Sequence, residues 1–113
     1  MSHPRTVRLA RRSSALTQDE LADLLAITQT TISRLEDKNE STTLETALGL
    51  QVIFDTEPRS FFAKLYERVE EAVMTRAADL DVKIRDKYDS KSRKKQALLN
   101  IMVKRATAQN KAL

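Results

Sequence analysis

The chain is poor in the residues that carry most enzyme chemistry, because its 113 residues include no cysteine, one histidine and one glycine. The absence of cysteine excludes disulfides, thiolate nucleophiles and thiolate metal sites. The single histidine, His3, is expected to lie in a loose N-terminal tail, which leaves little basis for histidine catalysis. One glycine cannot form a glycine-rich phosphate-binding loop. We therefore expect neither an enzyme nor a metal or cofactor site.

Long hydrophobic runs are also missing from the sequence. No stretch of 18 apolar residues and no signal-peptide pattern occurs, so no membrane contact is predicted and a cytoplasmic location is expected. A chain of this length forms one small domain, with or without an extension, around a modest core.

Charge is distributed unevenly along the chain, although the formal net charge is only +4. Residues 1–57 hold six basic and nine acidic residues, a net charge of −3, whereas residues 58–113 hold fourteen and seven, a net charge of +7. Any affinity of the first half for an anionic partner such as DNA must therefore come from individually placed groups.

The most informative stretch runs from Leu16 to Glu36 and reads LTQDELADLLAITQTTISRLE. Thr17 is a good N-cap, and Glu20 three residues later can complete a capping box. Thr28 provides a second cap before another periodic run. The stretch therefore predicts two short helices, beginning at Thr17 and Thr28 and joined by a tight turn.

The second of these helices has two different faces. Ile32 and Leu35 form a narrow apolar seam, and the other side carries Gln29, Thr30, Ser33, Arg34 and Asp37. Glutamine can form two hydrogen bonds with adenine and arginine two with guanine, while threonine and serine contact phosphates, base edges or a thymine methyl group. This face is typical of a DNA recognition helix, and we interpret the side chains of Gln29, Thr30, Ser33 and Arg34 as base-reading.

The run from about Arg8 to Glu36 resembles the helix-turn-helix of the Cro/repressor (XRE-type) DNA-binding family. So many matches at fixed spacings make the resemblance far more specific than one short motif. It implies an all-α fold, a five-helix-type domain whose first helix runs from Arg5 to about Ser14. The matching residues are Arg8, Arg11, Leu16, Thr17, Gln18, Glu20, Leu21, Ala22, Ile27, Thr28, Gln29, Ile32, Ser33, Leu35 and Glu36.

The resemblance also implies roles outside the reading face. Arg11 is expected to form a structural salt bridge with Glu36, which would join helix one to the end of the recognition helix. Two copies would bind half-sites about one helical turn apart on a near-palindromic operator. The protein would be encoded by a bacterium or a phage and would associate with the nucleoid when bound to DNA. Contacts with DNA phosphates are expected from Gln18, Thr17, Thr28, Thr31, Arg8, Arg12 and Lys38.

Three residues depart from the family pattern, since Ala15, Ala26 and Lys38 stand where glycine is common. Ala26 matters most, because the turn between the two helices often uses a left-handed residue there. We expect a turn strained by about 1 kcal/mol, or a slightly rebuilt one, and a retained motif.

After Glu36, a polar loop containing Asn39 leads to a fourth helix that begins near Leu44, with Thr42 or Thr43 as its cap. Leu44, Ala47 and Leu48 are expected to close the core.

Two interpretations of residues 50–55 stay open. These residues favour a short dimer-forming β-strand, which resembles the strand that pairs across the dimer in HipB-like antitoxins, and this is the preferred interpretation. Alternatively, the helix continues through Val52.

The segment Asp55-Thr56-Glu57-Pro58 marks a boundary, because acidic residues and a cap before proline start a new helix. We therefore divide the chain into a DNA-binding domain, 1–57, and a C-terminal helical extension, 58–113. Apolar residues then recur at alternating gaps of three and four, which predicts a long helix that needs a partner. The alternative is that this helix folds back on its own domain. The residues assigned to the dimer or partner interface are Phe61, Phe62, Leu65, Val69, Val73, Leu80 and Ile84.

A last helix is predicted from Arg93 to Ala108. Residues 82–113 hold ten basic and two acidic residues, a net charge of +8, and four of the basic ones are clustered at Lys91, Arg93, Lys94 and Lys95. The cluster fits a solvated face, a contact with the DNA backbone or a contact with an acidic protein partner.

These features predict a homodimeric, sequence-specific DNA-binding regulator, most simply an autorepressor. The alternative function is an antitoxin that neutralises a toxin protein through its C-terminal helices while its helix-turn-helix regulates the operon. A third hypothesis is that the protein is an interaction module that has lost DNA binding.

Overall fold

The computed structural model describes residues 6–38 and 42–111, and every regular element in these ranges is a helix. The predicted tail with His3, the helix start at Arg5 and the loop residue Asn39 lie outside the described residues. The prediction of an all-α, five-helix-type domain followed by a long helical extension is confirmed. The helices are α1 (Val7–Ser13), α2 (Gln18–Leu25), α3 (Gln29–Lys38), α4 (Leu44–Phe54), α5 (Pro58–Phe61), α6 (Ala63–Ile84) and α7 (Ser90–Lys111).

Local capping signals fix where the helices of the motif begin. The Thr17 side chain accepts a hydrogen bond from the Glu20 backbone N–H, and the Glu20 carboxylate accepts one from Thr17, so the capping box is complete. The Thr28 hydroxyl likewise accepts from the backbone N–H of Thr31. Thr43 caps α4, which decides between the two candidate caps of that helix. Side-chain oxygens satisfy backbone donors that a helix start leaves without partners.

The turn between α2 and α3 is built on Ala26 in the left-handed conformation, with φ 55° and ψ 42°. The Ile27 N–H donates to the carbonyl of Ala22, and the Ala26 N–H donates to that of Asp23, which is the hydrogen-bond pattern of a Schellman motif. Ala15 ends α1 in the same way, with φ 60°. The motif is therefore retained with alanine in the left-handed conformation at both positions, and each of these two residues lowers the free energy of unfolding by about 1 kcal/mol.

The preferred strand at residues 50–55 is wrong, because α4 continues through Phe54. Leu50 is fully buried in the core of its own domain, so its side chain is not available to a strand that pairs with a second copy. Strand preference depends strongly on such surroundings. A helix brings Thr46, Ala47 and Leu50 to one side, where all three are buried.

The core of the first compact unit, Met1–Glu67, includes two aromatic residues that the sequence assigned to an interface. Phe61 and Phe62 are both buried in it, and the Phe61 ring packs edge-on against Phe54 with the ring centroids 6.0 Å apart. Their assignment as dimer or partner contacts is therefore wrong. The predicted continuous helix is interrupted at Phe62, which has φ −119° and ψ 46° and separates α5 from α6. The ten most buried apolar residues of this core are Val7, Ala10, Leu21, Ala22, Ile32, Leu35, Ala47, Leu50, Phe61 and Phe62.

One side of α4 stays outside this core. Leu44 and Val52 are 72% and 84% exposed, and Leu48 between them is also exposed. The prediction that Leu44 and Leu48 close the core is therefore wrong, because the helix turns Ala47 and Leu50 inward instead. Residues at i, i+4 and i+8 share one helix face, so the three side chains form an apolar stripe on the surface, which we call the α4 stripe.

The second compact unit, Arg68–Leu113, contains most of α6 and all of α7. Ile84 at the end of α6 and Leu99 in α7 are both buried, and the Gln96 side-chain amide donates to the Ile84 carbonyl at 2.9 Å. Ile84 is therefore part of this unit's own packing, so its assignment to a partner interface is wrong. The Asp89 carboxylate accepts hydrogen bonds from Ser92, which lowers the pKa of Asp89 and caps α7.

Ala26→Gly is expected to raise the free energy of unfolding by about 1 kcal/mol, because glycine adopts the left-handed conformation without the clash that alanine suffers. Chemical denaturation of the full chain, followed by circular dichroism, measures the change.

Ala78→Gly provides the matched control, because Ala78 is exposed in the interior of α6 and glycine there should lower stability by about 1 kcal/mol. Equal losses in both variants would contradict the assignment of strain to Ala26.

Candidate nucleic-acid interface

The candidate interface is the outer face of α3. Its inner seam, Ile32 and Leu35, is buried against the other helices. Three of the residues interpreted as base-reading, Gln29, Thr30 and Arg34, are exposed, and the fourth, Ser33, is half-buried. Within the described part of the chain, Arg34 takes part in no ion pair, so its guanidinium is available to an external acceptor.

Glu36, at the inner side of α3, holds three helices together. Its side chain is 0% exposed. Arg11 of α1 donates from Nε to Glu36 Oε2 at 2.6 Å and from Nη2 to Oε1 at 3.0 Å, which is a two-point pairing. Gln18 of α2 donates to the same Oε1 at 3.1 Å. The carboxylate therefore links α1, α2 and α3 at one point.

Burial is the largest influence on the Glu36 carboxyl and by itself would raise its pKa. Hydrogen bonds from Arg11 and Gln18, together with the charge of Arg11, act in the opposite direction, and the net result is a pKa below the usual range. A carboxyl whose pKa is lower in the folded state stabilises the fold fully above its unfolded pKa, about 4.3. That contribution is lost as the pH falls below this value toward the folded pKa.

The ionised Glu36 also sets the orientation of two glutamine amides. A carboxylate can only accept hydrogen bonds, so Gln18 must turn its NH₂ group toward it. The Gln18 carbonyl oxygen then accepts from the Gln29 amide nitrogen at 2.7 Å. Exposed Gln29 keeps its own carbonyl oxygen and one N–H for other partners, the donor and acceptor pair that adenine requires.

The residues expected at DNA phosphates are distributed as follows. Gln18 is half-buried in the network just described, and Arg8 is bound to acidic side chains of its own chain. Arg8 donates from Nε to Glu36 at 3.3 Å and also pairs with Asp37, so a phosphate would compete with Asp37 for its guanidinium. The others are exposed around the starts of α2 and α3 and the ends of α1 and α3, namely Thr17, Thr28, Thr31, Arg12 and Lys38.

Sequence reasoning missed two features of this interface. The Gln18–Gln29 hydrogen bond joins residues on different helices, and its formation depends on the angle between α2 and α3. The pairing of Arg8 with Asp37 was missed because both residues were assigned to exposed faces separately. The only local signal for the Gln18–Gln29 hydrogen bond is that a glutamine is the first residue of both α2 and α3.

Two further kinds of feature were sought in the described residues, a metal site and a membrane-spanning helix. Among the described residues, no group of three or more histidine, cysteine, aspartate or glutamate side chains is arranged to hold a metal ion. In the same part of the chain, no helix combines the length and apolar character needed to cross a bilayer.

Two short helices at a tight turn, the second exposing a polar face and both tied to α1, define a helix-turn-helix DNA-binding domain. A family model described as "Helix-turn-helix" matches residues 7–61. The matched residues, just under half of the chain, are similar to the Cro/repressor (XRE-type) helix-turn-helix family, a family of DNA-binding transcription regulators. Comparison with curated proteins and with solved structures found no match.

Glu36→Gln is expected to lower the free energy of unfolding by about 3 kcal/mol at neutral pH, because it leaves the buried Arg11 guanidinium without its charge partner. The gap in the free energy of unfolding between variant and native chain should shrink as the pH falls below the unfolded pKa of about 4.3 toward the lower folded pKa, because native Glu36 loses its charge over that range. Urea denaturation at a series of pH values measures both effects.

Glu45→Gln is the control, because Glu45 is an exposed carboxylate in the first turn of α4. Its removal should change stability little at any pH. A constant gap for Glu36→Gln across the pH range would contradict the ion-pair account.

Proposed function

We propose that this protein is a dimeric, sequence-specific repressor that reads a near-palindromic operator through α3. The observation that carries the proposal is the exposed polar face of α3, held in one orientation by the buried Glu36 carboxylate beneath it. Repression follows if the dimer occupies a promoter, most simply that of its own gene.

The base contacts follow from the chemistry of each side chain. Arg34 is exposed and suited to a two-point contact with guanine, whereas Gln29 is suited to adenine. The hydrogen bond that Gln29 donates to the Gln18 carbonyl oxygen restrains the Gln29 side chain before binding, so less side-chain freedom is lost on binding. Thr30 and the half-buried Ser33 supply shorter contacts with base edges or thymine methyl groups.

Phosphate contacts supply the sequence-independent part of the affinity. Exposed Arg12 and Lys38, together with the hydroxyl groups of Thr17, Thr28 and Thr31 near the starts of α2 and α3, are the groups we assign to the backbone. Residues 1–57 have a net charge of −3, so one copy of the domain is expected to bind weakly. Two copies on adjacent half-sites overcome this weakness, because the second binding event becomes intramolecular.

The α4 stripe is the surface we assign to the contact between two copies. Leu44, Leu48 and Val52 lie in the same compact unit as α3, so a contact between two stripes holds two copies of α3 at one fixed separation. A fixed separation is what reading of two half-sites requires.

Arg34→Ala is expected to cost about 1–3 kcal/mol at one base position of the operator and to relax the base preference there. Operators selected from random-sequence duplexes, followed by gel-shift titration at two salt concentrations, measure this effect.

Arg12→Ala is the control, because Arg12 is assigned to phosphate. It should weaken binding to all sequences evenly and reduce the salt dependence by about one counterion. If Arg34→Ala also lowers specific and non-specific binding by the same factor, the base-reading assignment is wrong.

The double variant Leu44→Gln, Val52→Gln is expected to weaken dimerisation about tenfold or more, because both side chains lose the benefit of burial in the contact. Both are largely exposed in the single chain, so folding should not change. Analytical ultracentrifugation measures the dimer, with Leu24→Gln, an exposed leucine on α2, as the control. Unchanged dimerisation in the double variant refutes the α4 assignment.

A second candidate function is that of an antitoxin, which would bind and neutralise a toxin protein through its C-terminal helices while regulating its operon through α3. The observation that favours it is the second compact unit, Arg68–Leu113, because reading DNA through α3 does not need it. Exposed apolar side chains on this unit, among them Val69, Val73 and Leu80, support its role as a partner-binding surface.

A further inference from the structure

The net positive charge of the chain comes entirely from α7. Residues 90–111 contain seven lysine and arginine residues and no aspartate or glutamate. The rest of the chain holds thirteen basic and sixteen acidic residues, a net charge of −3. Even within the second unit, residues 68–89 hold five basic and six acidic residues. Positive charge is therefore a property of this one helix and not of the surface in general.

The protein itself does not neutralise these cations. Lys91 stands three and four positions before Lys94 and Lys95, so the three ammonium groups are neighbours on one side of the helix and repel one another. Asp89, the closest acidic residue along the chain, is bound by Ser92, and the charge of Lys95 is only a minor contribution to its lowered pKa. Among the described residues, none of six exposed cations of α7 forms an ion pair, namely Lys91, Arg93, Lys94, Lys95, Lys104 and Arg105.

Like charges at these spacings destabilise a helix, so Lys91, Lys94 and Lys95 do not serve the stability of α7. An anionic partner would relieve the repulsion, because each negative group that lies between the lysines attracts all three. The three residues, which we call the lysine cluster, therefore have the properties of a binding surface for a polyanion.

The surroundings of the lysine cluster identify the kind of polyanion. Residues 90–96 read SKSRKKQ, without an apolar residue. Protein–protein interfaces have an apolar centre and are depleted in lysine, whereas protein–DNA interfaces are polar and strongly positive. A lysine ammonium is a point charge on a flexible stem, which suits a phosphate and carries no base preference. The composition matches a nucleic-acid backbone and not a protein surface.

We propose that the lysine cluster binds the phosphate backbone of duplex DNA and supplies sequence-independent affinity beyond that of Arg12 and Lys38. The proposal rests on the proposed function, because it names the surface that allows an acidic reading domain to hold DNA. Residues 1–67 hold eight basic and ten acidic residues, so the phosphates repel the first unit overall and attract α7. Each lysine that pairs with a phosphate also releases a condensed counterion, which drives binding.

A second copy of the chain is a poor occupant of the same surface. Two lysine clusters would bring like charges together, which costs free energy at close range. An acidic polypeptide matches the charge, but the segment offers it no apolar contact. Duplex DNA needs no such contact, because the phosphate interaction is electrostatic.

The test measures binding of the full chain to a random-sequence duplex by fluorescence anisotropy at about 50 and about 200 mM salt. Lys94→Gln is expected to weaken binding about five- to tenfold at about 0.1 M salt, because one counterion fewer is released. The triple variant Lys91→Gln, Lys94→Gln, Lys95→Gln should reduce the slope of log affinity against log salt by about 2.7. All three side chains are exposed, so circular dichroism should show an unchanged fold.

Lys104→Gln is the matched control, because it removes the same charge from another exposed position of α7. Position 104 is about 15 Å from Lys94 along the helix axis, and charges separated by more than about 10 Å are largely screened at about 0.1 M salt. This variant should change the affinity less than about twofold.

Three results would overturn the proposal. Equal losses in Lys94→Gln and Lys104→Gln would show that only overall charge matters. An unchanged salt slope in the triple variant would show that the lysine cluster does not contact phosphates. Displacement of the duplex by poly-glutamate as effective as displacement by a second duplex, at equal charge concentration, would assign the surface to an acidic polypeptide.

Failure of this proposal and failure of the repressor function give different results. If the native chain binds duplexes without sequence preference, the repressor function fails, while a loss of binding in the triple variant still supports the lysine cluster. If the native chain prefers an operator and the triple variant binds every duplex as tightly as the native chain, only the lysine cluster fails. The triple variant should lose the same factor on operator and random duplex, because backbone contacts carry no sequence information. A loss confined to the operator would contradict backbone binding.

Discussion

The buried Glu36 carboxylate is the interaction on which the DNA-binding unit depends. It lies at the meeting point of three helices, and each contributes a donor or the acceptor itself: Arg11 from α1, Gln18 from α2 and Glu36 from α3. Burying a carboxylate is costly, and the cost is offset only when its oxygens are fully hydrogen-bonded. Among the described residues, no buried side-chain nitrogen or oxygen lacks a hydrogen-bond partner. Stability and the orientation of the reading face therefore depend on the same charged group.

That dependence extends from the interior to the surface through two amides. Gln18 presents its NH₂ group to Glu36 and its oxygen to Gln29, so a charge in the core determines which atoms Gln29 offers outside. A side chain oriented in this way before binding loses little freedom when a base pair arrives. The geometry of α3 and the chemistry of its exposed face are thus two results of one hydrogen-bond chain.

Local signals in the sequence were sufficient to predict where the motif begins and turns. Thr17 with Glu20, and Thr28 at the next start, act over three residues, and such signals do not depend on the rest of the fold. The extent of α4 could not be predicted in this way, because the strand preference of residues 50–55 is overridden by the burial of Leu50. Phe61 and Phe62 fit the three-four repeat of a long helix equally well, and only the break at Phe62 directs them into the core. The Gln18–Gln29 bond depends on an interhelical angle that no local pattern encodes.

The only glycine in the chain, Gly49, lies where α4 passes α2 rather than in a turn. A Cβ atom at this position would lie 2.5 Å from Cδ2 of Leu25, closer than two carbon atoms can approach. Cδ2 is the end of a flexible side chain, so a larger residue at position 49 fits only if Leu25 turns to another rotamer. The rotamer of Leu25 on α2 therefore depends on the absence of a Cβ atom on the facing helix.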